Sequence, residues 1–419
     1  MRKEVKHKPE PITVFEHDSL KFDLKKKSDQ ELYQSLVIFF GKGVPYYNLI
    51  RNGVKFNEYV GAIQVGKTLI NILPKADKRK SDCDKKSKWN QVLIDMLRAV
   101  NGFEVKAPSS TDLKLKNNSV LDLYFELFVT EVEYLLHRGL VKKYRKTEGN
   151  LTTLKGQLLF TQQTSKNMVH KERFYTKYTT YDTEHLLHIV IYQTIQVLKR
   201  INTNLGLLSR INALLLNFPE MPSLKMSEAI FDKINFNRKT SGYKKVIEFS
   251  RLILLHYHPD LSKGRNDVLA LMFDMNLLWE QFVLASLNGK KGLKVRGQNS
   301  KYFWKPNGGK RRTIRPDITV NFNGNEYVLD TKWKLVEKRP AIEDIRQMYA
   351  YHHYFNAKKV ALLYPGANSY ISGSFVKTEQ QKELTPMECG LMFTQFEHSV
   401  KHWQRRIAKS VIDWIGDVK

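Results

Sequence analysis

Residues 315–332 read Arg315-Pro-Asp-Ile-Thr-Val-Asn-Phe-Asn-Gly-Asn-Glu-Tyr-Val-Leu-Asp-Thr-Lys332. The runs on either side of Asn323-Gly324 are rich in residues that favour strands, and Asn-Gly is a strong signal for a two-residue hairpin turn. A turn centred there places Asp317 opposite Asp330. The stretch therefore predicts a β-hairpin with one carboxylate where its first strand begins and another where its second strand ends.

Three charged side chains converge on this predicted hairpin. Side chains alternate between the faces of a strand, so Asp330 and Lys332 share one face and Asp317 joins them from the opposite strand. Like charges facing each other destabilise a hairpin unless a cation lies between them. Mg²⁺ commonly takes one or two carboxylates plus phosphate and water, and a lysine stabilises charge that develops on a phosphate. We therefore predict metal-dependent phosphodiester hydrolysis; the alternative is an edge hairpin with solvated charges.

Two predicted helices flank the hairpin and carry further polar residues. An apolar stripe between Val268 and Val283 predicts a helix, and Glu280 on it is placed to reach the metal or its water. The segment from Pro340 to Tyr354 predicts a second helix. Three of its residues fall at spacings of three and four and so line one face: Asp344, Gln347 and Tyr351. Solvent-facing polar residues would give the same pattern.

The charge of the chain indicates a polyanionic partner. Lys and Arg number 69 against 42 Asp and Glu, which gives a formal net charge of +27, and such a charge favours nucleic acid. Residues 281–316 hold ten basic residues and no acidic one, with Tyr302-Phe-Trp304 embedded among them. Basic charge beside stacking surface is typical of DNA-binding segments. The residues expected to bind DNA are Lys301, Trp304, Lys305, Lys310, Arg311, Arg312 and Arg315.

The composition excludes several protein classes. Only Cys83 and Cys389 are present, which excludes a disulfide scaffold, a four-cysteine zinc site and a cysteine-ligated iron–sulfur cluster. There is no run of about 18 apolar residues, and the first residues lack the apolar core of a signal peptide. We expect a cytoplasmic protein without a membrane segment.

The order of patterns along the chain predicts a multidomain α+β or α/β protein. Residues 1–110 are expected to form a β-rich N-terminal domain, with strands at 58–65 and 68–73 and an exposed basic loop at 75–88. Residues 111–265 are expected to form an α-helical middle domain, because leucine and aromatic stripes recur at helical spacing. Residues 266–419, where strands return after about residue 310, are expected to form the nuclease domain.

Two motifs suggest other chemistry. Gly61-Ala-Ile-Gln-Val-Gly-Lys-Thr68 matches the P-loop pattern, but that motif needs a long helix after it, and Pro74 would break one after two turns. We interpret it as a strand, a turn and a strand. His256-Tyr-His-Pro-Asp260 has the spacing of a metallohydrolase motif, but no other histidine cluster supports it. We expect a surface turn there.

Several motifs together resemble a known family. Arg315-Pro-Asp317, Asp330-Thr-Lys332 and the later Gln347 and Tyr351 look like the core of a PD-(D/E)xK nuclease. The wider pattern resembles the McrC subunit of McrBC-type modification-dependent restriction systems. The supporting stretches are Gly61–Gly66, Ile70–Lys75, Leu154–Leu158, Tyr181–Glu184 and Asp274–Glu280.

This resemblance implies roles for individual residues. Asp317, Asp330 and Glu280 would be metal ligands together with the backbone carbonyl of Thr331. Lys332 would stabilise the transition state. Gln347 and Tyr351 would form the auxiliary motif that supports the site or binds DNA.

The resemblance also implies a partner. An McrB-like AAA+ GTPase hexameric ring would bind the GTP, and the N-terminal domain of this chain would stimulate that ring by inserting into its pore. The expected function is a Mg²⁺-dependent DNA endonuclease subunit of such a system. Two alternatives remain open: a regulatory adaptor that mainly activates the ring, and a P-loop NTPase acting through residues 61–68, which Pro74 disfavours.

Overall fold

The structure is a computed structural model that describes residues 11–75, 83–100, 119–258, 267–334, 340–377 and 384–416. Strands dominate its N-terminal part, and apolar residues of these strands pack against one helix. The elements there are β1 (Ile12–Phe15), β2 (Ser19–Lys21), α1 (Lys27–Phe40), β3 (Tyr47–Ile50), β4 (Gly53–Phe56), β5 (Tyr59–Val65) and β6 (Thr68–Leu73). The predicted β-rich character of this region is confirmed.

Helices dominate the middle of the chain, as predicted, but a small sheet interrupts them. The helices are α2 (Cys83–Val100), α3 (Val120–Arg138), α4 (Phe160–Lys166), α5 (Leu186–Ile201), α6 (Leu205–Asn217), α7 (Glu228–Asp232) and α8 (Lys244–His256), with a 3₁₀ turn at Ser241–Tyr243. The strands are β7 (Lys143–Leu151), β8 (Gln157–Leu158), β9 (Phe174–Asp182) and β10 (Tyr257–His258). The first three pair antiparallel in the order β7-β9-β8.

The C-terminal part mixes strands and helices. Its strands are β11 (Val268–Asp274), β12 (Lys294–Gly297), β13 (Lys301–Trp304), β14 (Arg312–Ile314), β15 (Ile318–Phe322), β16 (Asn325–Thr331), β17 (Ala357–Pro365), β18 (Ser369–Val376) and β19 (Leu384–Thr394). Its helices are α9 (Met275–Leu287), α10 (Ile342–Phe355) and α11 (Val400–Ile415).

A six-stranded sheet organises this C-terminal part, with strand order β12-β15-β16-β17-β19-β18. β16, β17 and β19 run parallel, so their carboxyl ends meet at one edge. α10 packs on one face, where Met348 and Tyr351 meet Val328, and α9 and α11 pack on the other, where Leu329 is buried. Because strand side chains alternate, even-numbered residues at the end of β16 face α10 and odd-numbered ones face α9 and α11.

A five-stranded sheet joins N-terminal strands to strands between residues 257 and 274, with strand order β1-β6-β5-β11-β10. β11 lies antiparallel to β5 over its whole length, so that Met272 pairs with Gly61. The backbone N–H of Met275 then donates to the carbonyl of Glu58 at 3.0 Å. A strand from the predicted third domain thus completes the sheet of the first, and the domain boundaries stay a prediction.

Three local predictions need correction. The Val268–Val283 stripe, which we predicted as one helix, is β11 followed by α9. β11 is buried on both faces, and a strand of this kind has the same apolar density as a buried helix, so the sequence pattern does not distinguish the two. The middle region contains the β7–β9 sheet, whose first strand, KYRKTEGNL, is polar enough to resemble a loop. Residues 83–88 of the predicted basic loop belong to α2, and residues 76–82 lie outside the described part of the chain.

The P-loop look-alike is a hairpin, as we interpreted it. Val65 pairs with Thr68 across the Gly66-Lys67 turn, and β6 follows where a P-loop would need a helix. The residues therefore do not form a phosphate-cradling loop. Among the described residues, no helix is long and apolar enough to cross a membrane.

We predict that Gly61→Ala destabilises the protein by about 2 to 4 kcal/mol. Gly61 has φ +141°, and a Cβ there would lie 2.1 Å from the carbonyl oxygen of Leu271 on β11. Thermal unfolding checks this, with Gly149→Ala as the matched strand control, because a Cβ at Gly149 meets nothing within 4 Å. Equal unfolding midpoints for the two variants would contradict the close approach of β5 and β11.

Candidate active site

The hairpin of residues 315–332 forms in the predicted register. Ile318 pairs with Leu329, so Asp317 and Asp330 are the next opposed positions outward. Asp317 Oδ2 accepts hydrogen bonds from the backbone N–H of Thr331 at 2.7 Å and from Thr331 Oγ1 at 2.8 Å. These bonds fix the Asp317 carboxylate against the strand end that carries Asp330.

Asp330 and Lys332 form the charged centre of the site. Asp330 is 1% exposed, and its Oδ2 lies 2.7 Å from Lys332 Nζ. Burial raises the pKa of Asp330 to about 6, with a further contribution from Asp317, while Lys332 opposes the rise. Burial alone would lower the pKa of Lys332, but Asp330, Asp344 and Asp317 together raise it above its ordinary value. The lysine is therefore held in its charged form.

The exposed side of Lys332 is bordered by α10. Gln347 Oε1 lies 3.4 Å from Lys332 Nζ, and Gln347 Nε2 donates to Tyr351 Oη at 2.6 Å. Tyr351 Oη donates in turn to the backbone carbonyl of Arg315 at 2.9 Å, and burial raises the Tyr351 pKa. Asp344 Oδ1 lies 3.9 Å from Lys332 Nζ. The predicted helix face thus forms a chain of hydrogen bonds that leads from Lys332 through Gln347 and Tyr351 to Arg315 at the start of the hairpin.

Glu280 approaches the carboxylate pair from α9. Burial raises the pKa of Glu280, and the charges of Asp317 and Asp330 raise it further, so the three carboxylates lie within electrostatic reach of one another. A side-chain hydrogen bond from Gln298 opposes the rise. The backbone N–H of Gln298 also donates to the carbonyl of Asp317 at 2.8 Å.

Gln298 is the residue that sequence reasoning missed. It has a positive φ of 49°, a conformation that costs energy for a residue with a side chain and that clusters at functional sites. Nothing in the local sequence signals it, because its role comes from contacts with Asp317 and Glu280, which lie on two other elements.

The donor set suits a hard cation. Asp317 and Asp330 could supply carboxylate oxygens to a cation. The Thr331 carbonyl could add a third oxygen, since the N–H and C=O of a strand residue point to the same edge and the Thr331 N–H points to Asp317. Mg²⁺ is often held by two carboxylates and completed by phosphate and water. No group of three Asp, Glu, His or Cys side chains in the described residues is close enough to form a full metal cluster.

An exposed two-stranded ribbon precedes the hairpin, and we call residues 301–315 the arm. Within it β13 pairs with β14, with an irregularity after Tyr302. Tyr302, Phe303 and Trp304 are 66%, 47% and 57% exposed. Large aromatic side chains normally avoid water to this extent, so the arm offers a stacking surface.

All seven predicted DNA-binding residues lie on the arm and are exposed. The Arg311 guanidinium lies over the Tyr302 ring at 4.8 Å. Lys301 Nζ donates to the carbonyl of Tyr354 at 3.0 Å and so ties the arm to the end of α10. Phe303 reinforces this junction with a ring contact to Tyr354 at 5.0 Å.

The histidine motif gains no support as a metal site. His256 ends α8, and its Nδ1 lies 2.8 Å from the carbonyl of Leu252, while His258 lies in β10 against the Phe39 ring. Asp260, the third member of the motif, lies outside the described residues.

The family model described as "McrBC 5-methylcytosine restriction system component" matches residues 54–365. The chain belongs to this McrBC family. The matched range contains the carboxylate pair, Lys332, Glu280, the arm and the polar face of α10. No curated protein sequence matches significantly.

Two solved structures are similar to this McrBC family chain. One is a refined half-complex from a tetradecameric assembly of Thermococcus gammatolerans McrB AAA+ hexamers with bound McrC. It has 19% sequence identity and a TM-score of 0.66, and covers 96% of this chain and 100% of its own. The other is the cryo-EM structure of the Thermococcus gammatolerans McrBC complex, with 19% identity, a TM-score of 0.46, and coverage of 66% and 87%. The first shows that the fold is shared over nearly the whole chain.

We predict opposite shifts of the Asp330 pKa in two variants of this McrBC family chain. Asp317→Asn removes a like charge and should lower the pKa below about 6, whereas Lys332→Met removes the compensating cation and should raise it. Titration of ¹³C-labelled aspartate carboxyls by NMR in metal-free buffer measures both shifts. Glu343→Gln, an exposed acid in the first turn of α10, is the control and should leave the Asp330 pKa unchanged.

Proposed function

We propose that the chain is the Mg²⁺-dependent DNA endonuclease subunit of an McrBC-type restriction system, with a PD-(D/E)xK nuclease core. The observation that carries the proposal is the meeting of Asp317, Asp330 and Lys332 at one strand end, next to an exposed basic and aromatic arm. Family membership supports the restriction system, and the site supports the chemistry.

Each residue of the site has a defined task in the proposed reaction. Asp317, Asp330 and the Thr331 carbonyl would hold Mg²⁺, with Glu280 facing the same space from α9. When bound, Mg²⁺ activates water and offsets charge on the phosphate. Lys332 then faces the phosphorus as a fixed cation and stabilises the negative charge that grows during attack.

The surroundings of Lys332 suit this task. Its ammonium is held between Asp330 on its own strand and Gln347 and Asp344 on α10. Positively charged groups that are positioned before the reaction stabilise a transition state without further reorganisation.

DNA would reach this site along the arm. The arm ends at Arg315, two residues before Asp317, and its aromatic side chains are open to solvent. Basic side chains would contact phosphates and Trp304 would stack on a base or sugar. The arm thus guides a strand toward the carboxylates.

The partner in the proposal is an McrB-like AAA+ ring, which would bind the GTP. In the similar half-complex McrC is bound to McrB AAA+ hexamers, and we extend that assembly to this chain. The β7–β9 sheet offers contact surface besides the N-terminal domain, because its loops and its α4 helix expose large apolar side chains: Leu154, Phe160, Met168 and Val169.

A regulatory adaptor is the second candidate function. The observation that favours it is the similar half-complex, in which McrC is bound to McrB AAA+ hexamers. Stimulation of the ring's GTP hydrolysis by a chain that cuts no DNA would support the adaptor.

We predict that Asp330→Ala lowers the rate of DNA cleavage by about a thousandfold or more, and Lys332→Ala by about a hundredfold. The assay is linearisation of methylated plasmid by the purified chain with its ring partner, GTP and Mg²⁺. Glu343→Gln is the control and should cut at the parent rate. Asp330→Ala cutting as well as the parent would overturn the assignment.

Variants of the arm should weaken DNA binding without loss of fold. Trp304→Ala should cost about 1 to 3 kcal/mol of binding free energy through lost stacking. Arg312→Ala should reduce the slope of log affinity against log salt by about one. Fluorescence anisotropy at several salt concentrations measures both, and Lys225→Ala, an exposed lysine outside the arm, is the control. Unchanged DNA affinity in both arm variants would show that the arm does not bind DNA.

A further inference from the structure

A buried carboxylate from the N-terminal region reaches the motif that carries Lys332. Glu16 directly follows β1 and is 1% exposed. Its Oε1 accepts the backbone N–H of Lys75 at 2.7 Å and the indole N–H of Trp333 at 2.7 Å. The residue that binds Glu16 is thus the immediate chain neighbour of Lys332, across 317 residues of sequence.

Trp333 lies on the opposite face of the sheet from Lys332. Since side chains alternate, Lys332 faces α10 while Trp333 enters the core beside α9 and α11. There its ring meets the ring of Trp279 edge-on at 5.3 Å, and Trp279 also packs against Trp403 at 5.1 Å. The indole held by Glu16 is therefore part of a rigid aromatic cluster.

The two neighbouring tryptophans each adjoin a residue of the site. Trp333 follows Lys332, and Trp279 precedes Glu280 on α9. One carbonyl, that of Leu363 on β17, accepts both the backbone N–H of Lys332 at 3.0 Å and the Trp279 indole N–H at 3.4 Å. A shift of either indole would move a side chain of the site.

A carboxylate is a costly choice for this position. Burial raises the pKa of Glu16, and the hydrogen bonds from Lys75 and Trp333 offset only part of that effect. Glu16 Oε2 is buried without a hydrogen-bond partner among the described residues, with His17 Nε2 4.0 Å away. A buried acid that leaves one oxygen unpaired lowers the stability of the fold. This cost indicates that the two hydrogen bonds to the other oxygen of Glu16 have a role.

We propose that Glu16 is a positioning residue, which sets Lys332 for catalysis by holding the Trp333 indole and so couples the N-terminal sheet to the nuclease site. This inference rests on the proposed function. It assigns no chemistry to Glu16, which touches neither DNA nor metal. Its effect is the placement of the strand end that follows Thr331.

The test compares full-length variants in the cleavage assay with the ring partner. Trp333→Phe keeps a ring but removes the N–H, and Glu16→Leu removes the acceptor. Each should lower the kcat of cleavage by about tenfold to a hundredfold, because small displacements of catalytic groups have effects of that size. The KM for DNA and the stimulation of the partner's GTP hydrolysis should not change. The double variant should be no slower than the slower single variant, since both break one contact.

Two control variants separate positioning from simple loss of stability. Trp414→Phe removes an indole N–H that is buried without a partner among the described residues, and should leave kcat within about twofold. Glu16→Gln retains the accepting oxygen and should restore most of the activity that Glu16→Leu loses.

The outcomes are distinguishable. A parent protein that cuts, together with a folded Trp333→Phe variant that cuts equally fast, overturns the inference alone. A fall in kcat that is matched by weaker DNA binding and weaker GTPase stimulation also overturns it, because that pattern reports general damage. A parent that fails to cut with partner, GTP and Mg²⁺ overturns the proposed function and the inference with it.

Discussion

The repulsion between Asp317 and Asp330 is the constraint around which the C-terminal part of the molecule is arranged. A carboxylate that is 1% exposed and faces another across a hairpin raises the free energy of the fold unless charge or hydrogen bonds compensate it. Thr331 compensates Asp317 and Lys332 compensates Asp330. The α10 helix then fixes Lys332, so hairpin, strand end and helix depend on one another. Strongly shifted pKa values such as that of Asp330 cluster at functional sites.

The hairpin was predictable because its register depends on local information alone. A two-residue Asn-Gly turn fixes which residues oppose each other. Counting outward from Asn323-Gly324 therefore places Asp317 opposite Asp330. The polar face of α10 was predictable for the same reason, since Asp344, Gln347 and Tyr351 are close in sequence. The P-loop look-alike was correctly interpreted because Pro74 and the apolar run before it conflict with a helix.

The remaining features depend on contacts between distant segments. β11 could not be distinguished from the helix that follows it, because burial on both faces removes the alternation that marks a strand. The arm is visible in the sequence as charge and aromatic residues, but its ribbon form depends on pairing between β13 and β14 around a loop. Gln298 and Glu16 could not be found from local sequence, since each acts through residues on other elements.

The position of β11 also sets the order in which the protein can fold during synthesis. β5 can pair with β6 as soon as both strands have left the ribosome. The other edge of β5 stays unpaired until β11, about 200 residues later, has been synthesised. At roughly 5 to 20 residues per second, that edge stays open for on the order of 10 to 40 s. An unpaired apolar edge of this kind invites pairing with other nascent chains. The free edge of β5 therefore stays exposed until residue 274 has emerged, and only then can the C-terminal part of the chain assemble on the N-terminal sheet.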